Sequence, residues 1–325
     1  MDAIVQKKRR RSDLTPLGGN TEIQQRDVRL FSALNYHGPL SVPYLHEYVV
    51  GDFPATTLGA LSVRLNTLTK YGQRRLDRPG QRYKAIGVNR FEVYANSPEI
   101  DDYLLGKNLT PRPSIHLSKY NFRHETFLAH ITASIELAAK KNSDCAFLSE
   151  FELLPRAPTM SRTMPCEITH TYELWDEEHS GWKKEKRASH KHLQPDAYFA
   201  LKKSGKYRAF FVEADCGSEP LTRGDLDQKS WLATLLKYIK VIETGHYKSH
   251  FGLTCGVLVL IVCTNQRQME GIQRTLQQIT GGKGKNYFLF KTWSDFDDDL
   301  FVPKQVNHSL LTDPWQRANS EPLYI

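Results

Sequence analysis

The sequence predicts an α+β protein of two domains, a small basic helical domain followed by a larger α/β domain with a mixed sheet. Three observations predict it. The chain has 325 residues, more than a single hydrophobic core usually serves. Charge is uneven: residues 1–95 hold 15 Lys/Arg against 8 Asp/Glu, whereas the rest of the chain has a surplus of only one positive charge. Apolar spacing also changes along the chain. It is helical through the front (Leu58, Leu61, Leu65, Leu68), and strand-like in Tyr207–Asp215 and Gly256–Cys263.

Composition excludes several classes. No apolar run approaches the roughly 18 residues that span a bilayer, so no membrane association is expected. The first residues, MDAIVQKKRRRSD, lack an apolar core after their charges and do not read as a secretory signal. Five cysteines, none spaced C-x-x-C, indicate reduced cytoplasmic usage and neither a disulfide frame nor a zinc site. A basic front on a near-neutral rear points to a polyanion, and nucleic acid is the expected one.

Residues 1–20 read as a disordered basic tail. Lys7, Lys8, Arg9, Arg10 and Arg11 form a run suited to phosphates or a minor groove, or to a solubilising tail. Residues 21–96 form the first domain. A helix carrying Val28, Phe31 and Leu34 stops near Gly38-Pro39. A second, Ser41–Val50, opens on a Ser cap with Pro43 in its first turn. A third, Ala55–Tyr71, buries the leucine stripe and offers Thr56, Thr57, Arg64, Asn66 and Lys70 on its other face. Two short strands follow with a basic tip, including Arg74, Arg75, Arg78 and Arg82. This order is that of a winged helix-turn-helix, whose third helix enters the major groove and whose wing touches the backbone.

Residues 97–120, with Pro98, Gly106, Pro111 and Pro113, read as a linker. The second domain, 121–300, opens with a helix over Arg123–Lys141 and a strand over Ala146–Leu154. A polar insert, 155–190, carries Trp175, Trp182 and a Lys/Arg cluster. A long helix is expected over Leu221–Thr244, a central strand over Thr254–Thr264, a helix over Gln266–Ile279 and a last strand over Tyr287–Thr292. Residues 301–325 form a loop-like C-terminal tail.

The chemistry concentrates between Pro195 and Asp215. Asp196 precedes one strand, Ser204-Gly205 makes a turn, and the next strand ends in Glu213-Ala214-Asp215. Strand alternation puts Glu213 and Asp215 on one face. If the two strands form a hairpin, three carboxylates converge at one end of the sheet, where Mg²⁺ or Mn²⁺ is the usual neutralising partner. Glu125, at the start of the first helix, is a further candidate ligand, or else an acid favoured by the helix dipole. His124 is a weaker candidate.

That arrangement resembles the PD-(D/E)XK nucleases, a restriction-endonuclease-like fold. The departure is Asp215, which stands where a lysine is expected. Lys229 or Lys237 would have to replace it, and Lys237 is preferred because Tyr238 follows it and it lies deeper in the packed part. The order of parts further resembles the replication-relaxation family and MobC-type plasmid relaxases: the winged helix, R-H-E-x-F-x-x-H at Arg123–His130, P-D-A at Pro195–Ala197, F-V-E-A-D-C-G at Phe211–Gly217 and L-K-Y at Leu236–Tyr238. The resemblance implies metal-dependent nicking of double-stranded DNA at a plasmid or mobile-element origin of transfer or replication. It also implies contact with a single-stranded region after nicking, and accessory mobilisation or replication proteins. On this reading Asp196, Glu213, Asp215 and Glu125 hold metal and Lys237 stabilises the phosphate. The alternative is a site-specific DNA-binding regulator of replication or transcription whose nuclease-like domain is inert.

Overall fold

The computed structural model describes residues 22–70, 75–79, 93–112, 119–176, 178–189, 191–296, 302–303 and 305–325. They fall into two compact units, one ending by residue 112 and the other beginning at 119. The basic run with Arg9 and Arg10, and the tip residues Arg74 and Arg82, lie outside the described residues.

The first unit begins with α1 (Gln25–His37), where Asp27 accepts the Gln24 N–H at 2.8 Å and so satisfies one of the unpaired donors of the first turn. Gly38, at φ 102°, ends the helix in a conformation that suits glycine. A two-residue strand β1 (Leu40–Ser41) leads into α2 (Val42–Val50), and α3 (Leu58–Leu68) follows. Then β2 (Leu76–Asp77) and β3 (Val93–Asn96) complete an antiparallel sheet in the order β1-β3-β2. Leu30, Phe31, Leu34, Leu45, Leu61 and Leu65 form the buried centre.

Three expectations are corrected here. The third helix is shorter than Ala55–Tyr71, because Thr57 caps it by accepting the Ala60 N–H at 3.2 Å. Leu58 is 43% exposed and lies outside the buried stripe, which begins at Leu61. The expected linker contains α4 (Asp101–Gly106), whose Leu104 is buried.

The second unit begins with α5 (Lys119–Lys140), four residues earlier than the sequence suggested. Its sheet is built from β4 (Cys145–Leu148), β7 (Ala197–Lys203), β8 (Lys206–Asp215), β9 (Val257–Cys263) and β10 (Phe288–Thr292), in the order β10-β9-β8-β7-β4. The β4-β7-β8 pairings are antiparallel and β8-β9-β10 parallel. Parallel neighbours require crossovers, and α7 (Trp231–Glu243) and α9 (Gln266–Ile279) provide them, with α8 (His246–Phe251) following α7. Every residue of β9 is buried, which accounts for its unbroken apolar run. At the β7–β8 turn, Ser204 and Gly205 have φ of 49° and 75°, the left-handed pair that a two-residue hairpin needs.

The strand expected over Ala146–Leu154 stops at Leu148. Ser149 turns the chain into a short helix, α6 (Glu150–Leu153), because its N–H bonds the Glu152 carboxylate at 2.8 Å. The polar insert is a two-stranded ribbon, β5 (Ile168–Asp176) with β6 (Gly181–Ser189), in full antiparallel register. The helix expected over Leu221–Thr244 begins only at Trp231, and residues 216–230 form a loop. The tail is tied in. Trp315 is fully buried, its backbone pairs with Leu323, and Gln316 pairs with Phe290 on β10, beyond a short α10 (Ser309–Thr312). Among the described residues, no helix is long and apolar enough to cross a membrane.

Candidate functional site

The β7–β8 register pairs Ala197 with Val212, so the next step places Asp196 opposite Glu213. Both acids thus sit at one end of the central hairpin. The Asp196 carboxylate also reaches across the pair, with Oδ2 accepting the Ala214 N–H at 2.9 Å. Its backbone is pinned from outside. Arg162 Nη1 donates to the carbonyls of Pro195 and Asp196, while its Nε lies 3.0 Å from Glu150.

Electrostatics divides the two acids. Burial opposes charge on Asp196, but His124, whose Nε2 is 3.0 Å from Oδ2, and the Ala214 N–H together hold its pKa below the ordinary value. His124 is pushed up in turn, because the charge of Asp196 and the hydrogen bond to it outweigh burial, and Glu125 next door adds to the effect. Glu213 is driven the other way: burial, then the nearby charge of Asp196, raise it well above a normal glutamate, so it tends to keep its proton. Tyr238 on α7 donates to Glu213 Oε1 at 2.5 Å. Asp196 remains 19% exposed and His124 30%, so solutes reach this end of the sheet. Among the described residues, neither Asp196 Oδ1 nor Glu213 Oε2 takes a hydrogen bond.

Asp215 shares a strand face with Glu213, but its carboxylate is already committed. Oδ2 accepts from the Trp231 indole at 2.6 Å and from Gln268 Nε2 at 2.8 Å, while Oδ1 accepts the Gly217 N–H at 2.5 Å. Among the described residues, no group of three or more His, Cys, Asp or Glu side chains is arranged to hold a metal ion. Asp215 serves as a hydrogen-bond hub between β8, α7 and α9.

The two lysine candidates have different surroundings. Lys237 faces Cys166, Lys191 and Asp227, and burial lowers its pKa. Lys229, on the loop before α7, bonds Glu219 at 2.9 Å and feels the charges of Asp196 and Glu213. Glu219 is itself raised, first by burial and then by Asp215 and Asp196, and its Oε1 is buried with no hydrogen-bond partner among the described residues. The α5 side chain bonded to Asp196 is His124, while Glu125, the stronger candidate from sequence, is half-buried beside it. Arg162 carried no signal in the sequence, and Tyr238, which the L-K-Y motif included, had no role assigned to it.

In the front unit, Arg64 is withdrawn from the exposed face of α3. Its Nε lies 3.1 Å from Asp27 Oδ1, its Nη2 bonds Oδ2, and Asp27 is wholly buried. Thr57 is engaged as the α3 cap, and Thr56 is buried, its carbonyl 2.8 Å from His46 Nε2. Asn66 and Lys70 are half-buried. Arg75 reaches the Glu99 carbonyl at 3.4 Å, and Arg78 lies over the Tyr94 ring, 5.2 Å from its centroid.

The replication-relaxation family matches residues 33–257, more than half of the chain. No curated protein and no solved structure matches it significantly.

Proposed function

The chain belongs to the replication-relaxation family, and we propose that it binds DNA through its front unit and cuts one strand with a metal-assisted site at Asp196 and Glu213. A role in replication or plasmid-related DNA processing follows from the family. Nicking at an origin is the reading proposed here. The observation that carries it is the pair itself, two carboxylates opposed across β7 and β8, Asp196 held below its ordinary pKa and Glu213 pushed above its own.

The order α1-α2-α3 followed by a small antiparallel sheet supports a winged helix-turn-helix. The sequence α5, β4, β7, β8, α7, β9, with β9 parallel to β8, supports a restriction-endonuclease-like core. The exposed side of α3, including Gly59, Ala60 and Val63, is the candidate surface for a groove. Small and apolar residues there suit thymine methyl contacts.

The pair fits a hard cation in donor type and in charge. Among the described residues each acid keeps a carboxylate oxygen without a hydrogen bond, and a divalent ion would favour the ionised Glu213 that burial and then the charge of Asp196 oppose. Mg²⁺ commonly takes only one or two carboxylates, with water and substrate phosphate completing its shell. A bound Mg²⁺ or Mn²⁺ would polarise the scissile phosphate. The chain's own contribution is positional. Arg162 fixes the Asp196 backbone, His124 and the Ala214 N–H orient its carboxylate, Tyr238 orients Glu213, and Lys229 offsets charge that grows on the phosphate.

The test is purified protein with supercoiled DNA from its own genetic neighbourhood, in Mg²⁺ or Mn²⁺. Nicked circles are expected, lost in Asp196→Ala and Glu213→Ala while DNA binding persists. Site-specific binding without nicking in either metal would leave the second reading, a DNA-binding regulator with an inert rear domain. That reading draws on one observation: Tyr238 and His124 already occupy one oxygen of each acid.

A further inference from the structure

We propose that Asp215 is a positioning residue that fastens the loop 216–230 so that Lys229 is presented to the Asp196–Glu213 pair. The inference rests on the strand-cleavage reading and explains why an acid occupies the strand position where a lysine was expected.

The hydrogen bonds run outward from one carboxylate. Asp215 Oδ1 holds the Gly217 N–H, which fixes the exit from β8, where Gly217 takes φ 81°. Oδ2 holds the Trp231 indole at the start of α7, two residues beyond Lys229. Gln268 ties the first part of the loop to the same carboxylate, since its Nε2 donates both to Asp215 Oδ2 and to the Glu219 carbonyl, 2.8 Å each. Glu219 in turn bonds Lys229. The loop closes on itself further out, with Trp231 N–H on the Pro220 carbonyl and Arg223 Nε on the Lys229 carbonyl.

Lys229 needs such a frame. Its side chain is 74% exposed, and a free lysine there would spread over many rotamers. The Glu219 contact restricts it, and Asp215, through Gln268 and Trp231, sets where Glu219 and Lys229 stand. A lysine on the strand at position 215 would face the Trp231 and Gln268 donors, which require an acceptor. The cation has moved to the loop and the strand position has become its anchor.

The test uses the full chain. Lysines are reductively methylated with ¹³C-formaldehyde, and the Lys229 methyl resonance is assigned by its loss in Lys229→Arg. Asp215→Asn, and as a second variant Gln268→Met, should shift that resonance while thermal unfolding stays cooperative. In the same variants the nicking rate should fall about a hundredfold, the usual consequence of a misplaced catalytic group, with DNA affinity unchanged. Lys229→Met should abolish the effect of Asp215→Asn, so that the double variant is no slower than Lys229→Met alone. An unshifted resonance in both variants, or losses that multiply in the double variant, would overturn the proposal. Should the wild-type chain fail to nick, the cleavage reading falls, and the resonance by itself decides whether Asp215 sets Lys229.

Discussion

The Tyr238 hydroxyl donates to Glu213 Oε1 at 2.5 Å in the interior of the second unit, where both side chains are buried. It is a concession to a carboxyl that burial and Asp196 have pushed up. A group whose folded pKa is raised binds more protons in the native state, so stability falls as pH rises from the ordinary value of 4.5 to the raised one. Glu213→Gln removes that titration. The variant should gain stability relative to wild type steadily across the window, and the difference should level off above it. Urea unfolding from pH 4 to 9 measures this, and a difference independent of pH would contradict the assignment.

In the His124–Asp196 pair, Asp196 has the opposite pH logic and His124 the same one. The folded pKa of Asp196 is lowered, so its contribution is present above the unfolded value of 3.8 and lost as pH falls through the folded one. His124 is raised, so its contribution is complete below 6.5 and disappears as pH rises through its folded value. His124→Ala should therefore cost most between these limits. The cost should be about 1 kcal/mol, since both side chains keep some solvent contact. Chemical denaturation at pH 5 and pH 9 should show the larger loss at pH 5.

Arg64 is predicted to act as a structural clamp. Asp27 is fully buried and Arg64 nearly so, and breaking such a pair from one side typically costs about 3 kcal/mol or more. Arg64→Ala should destabilise the front unit by that order and lose DNA affinity only as the fold is lost. Replacing both partners together, Asp27→Leu with Arg64→Met, should recover most of the stability. A well-folded Arg64→Ala protein with weakened DNA binding would return Arg64 to the recognition surface.

Metal binding can be read without catalysis. Mn²⁺ at a hundred times its dissociation constant should stabilise the wild-type fold by about 2.7 kcal/mol. Asp196→Asn and Glu213→Gln should each abolish the shift in thermal midpoint, and Lys237→Ala should leave it intact. Equal shifts in all four proteins would place the ion elsewhere.

Much of this architecture was legible in the residues. The leucine stripe from Leu61 to Leu68, the Ser204-Gly205 turn, the apolar β9 and the amphipathic α9 are local patterns, and each formed the expected element. The late start of α7 had a local signal too, since Ser230 caps the helix by accepting the Ala233 N–H, but the apolar positions after Leu221 masked it. The tie between Gln316 and the edge strand β10 had none, because it joins segments far apart in the chain.

By itself, the sequence determined which residues alternate along β7 and β8, and hence that Glu213 and Asp215 share a face; the β7–β8 register then set Asp196 opposite Glu213. Periodicity is a property of neighbouring residues and needs no partner to be read. Only the tertiary structure decided what each polar group faces. It committed Asp215 to Trp231 and Gln268, Arg64 to Asp27, and Lys229 to Glu219. Those assignments depend on contacts between elements distant in the chain, and a buried polar group takes whichever partner the fold brings within hydrogen-bond reach.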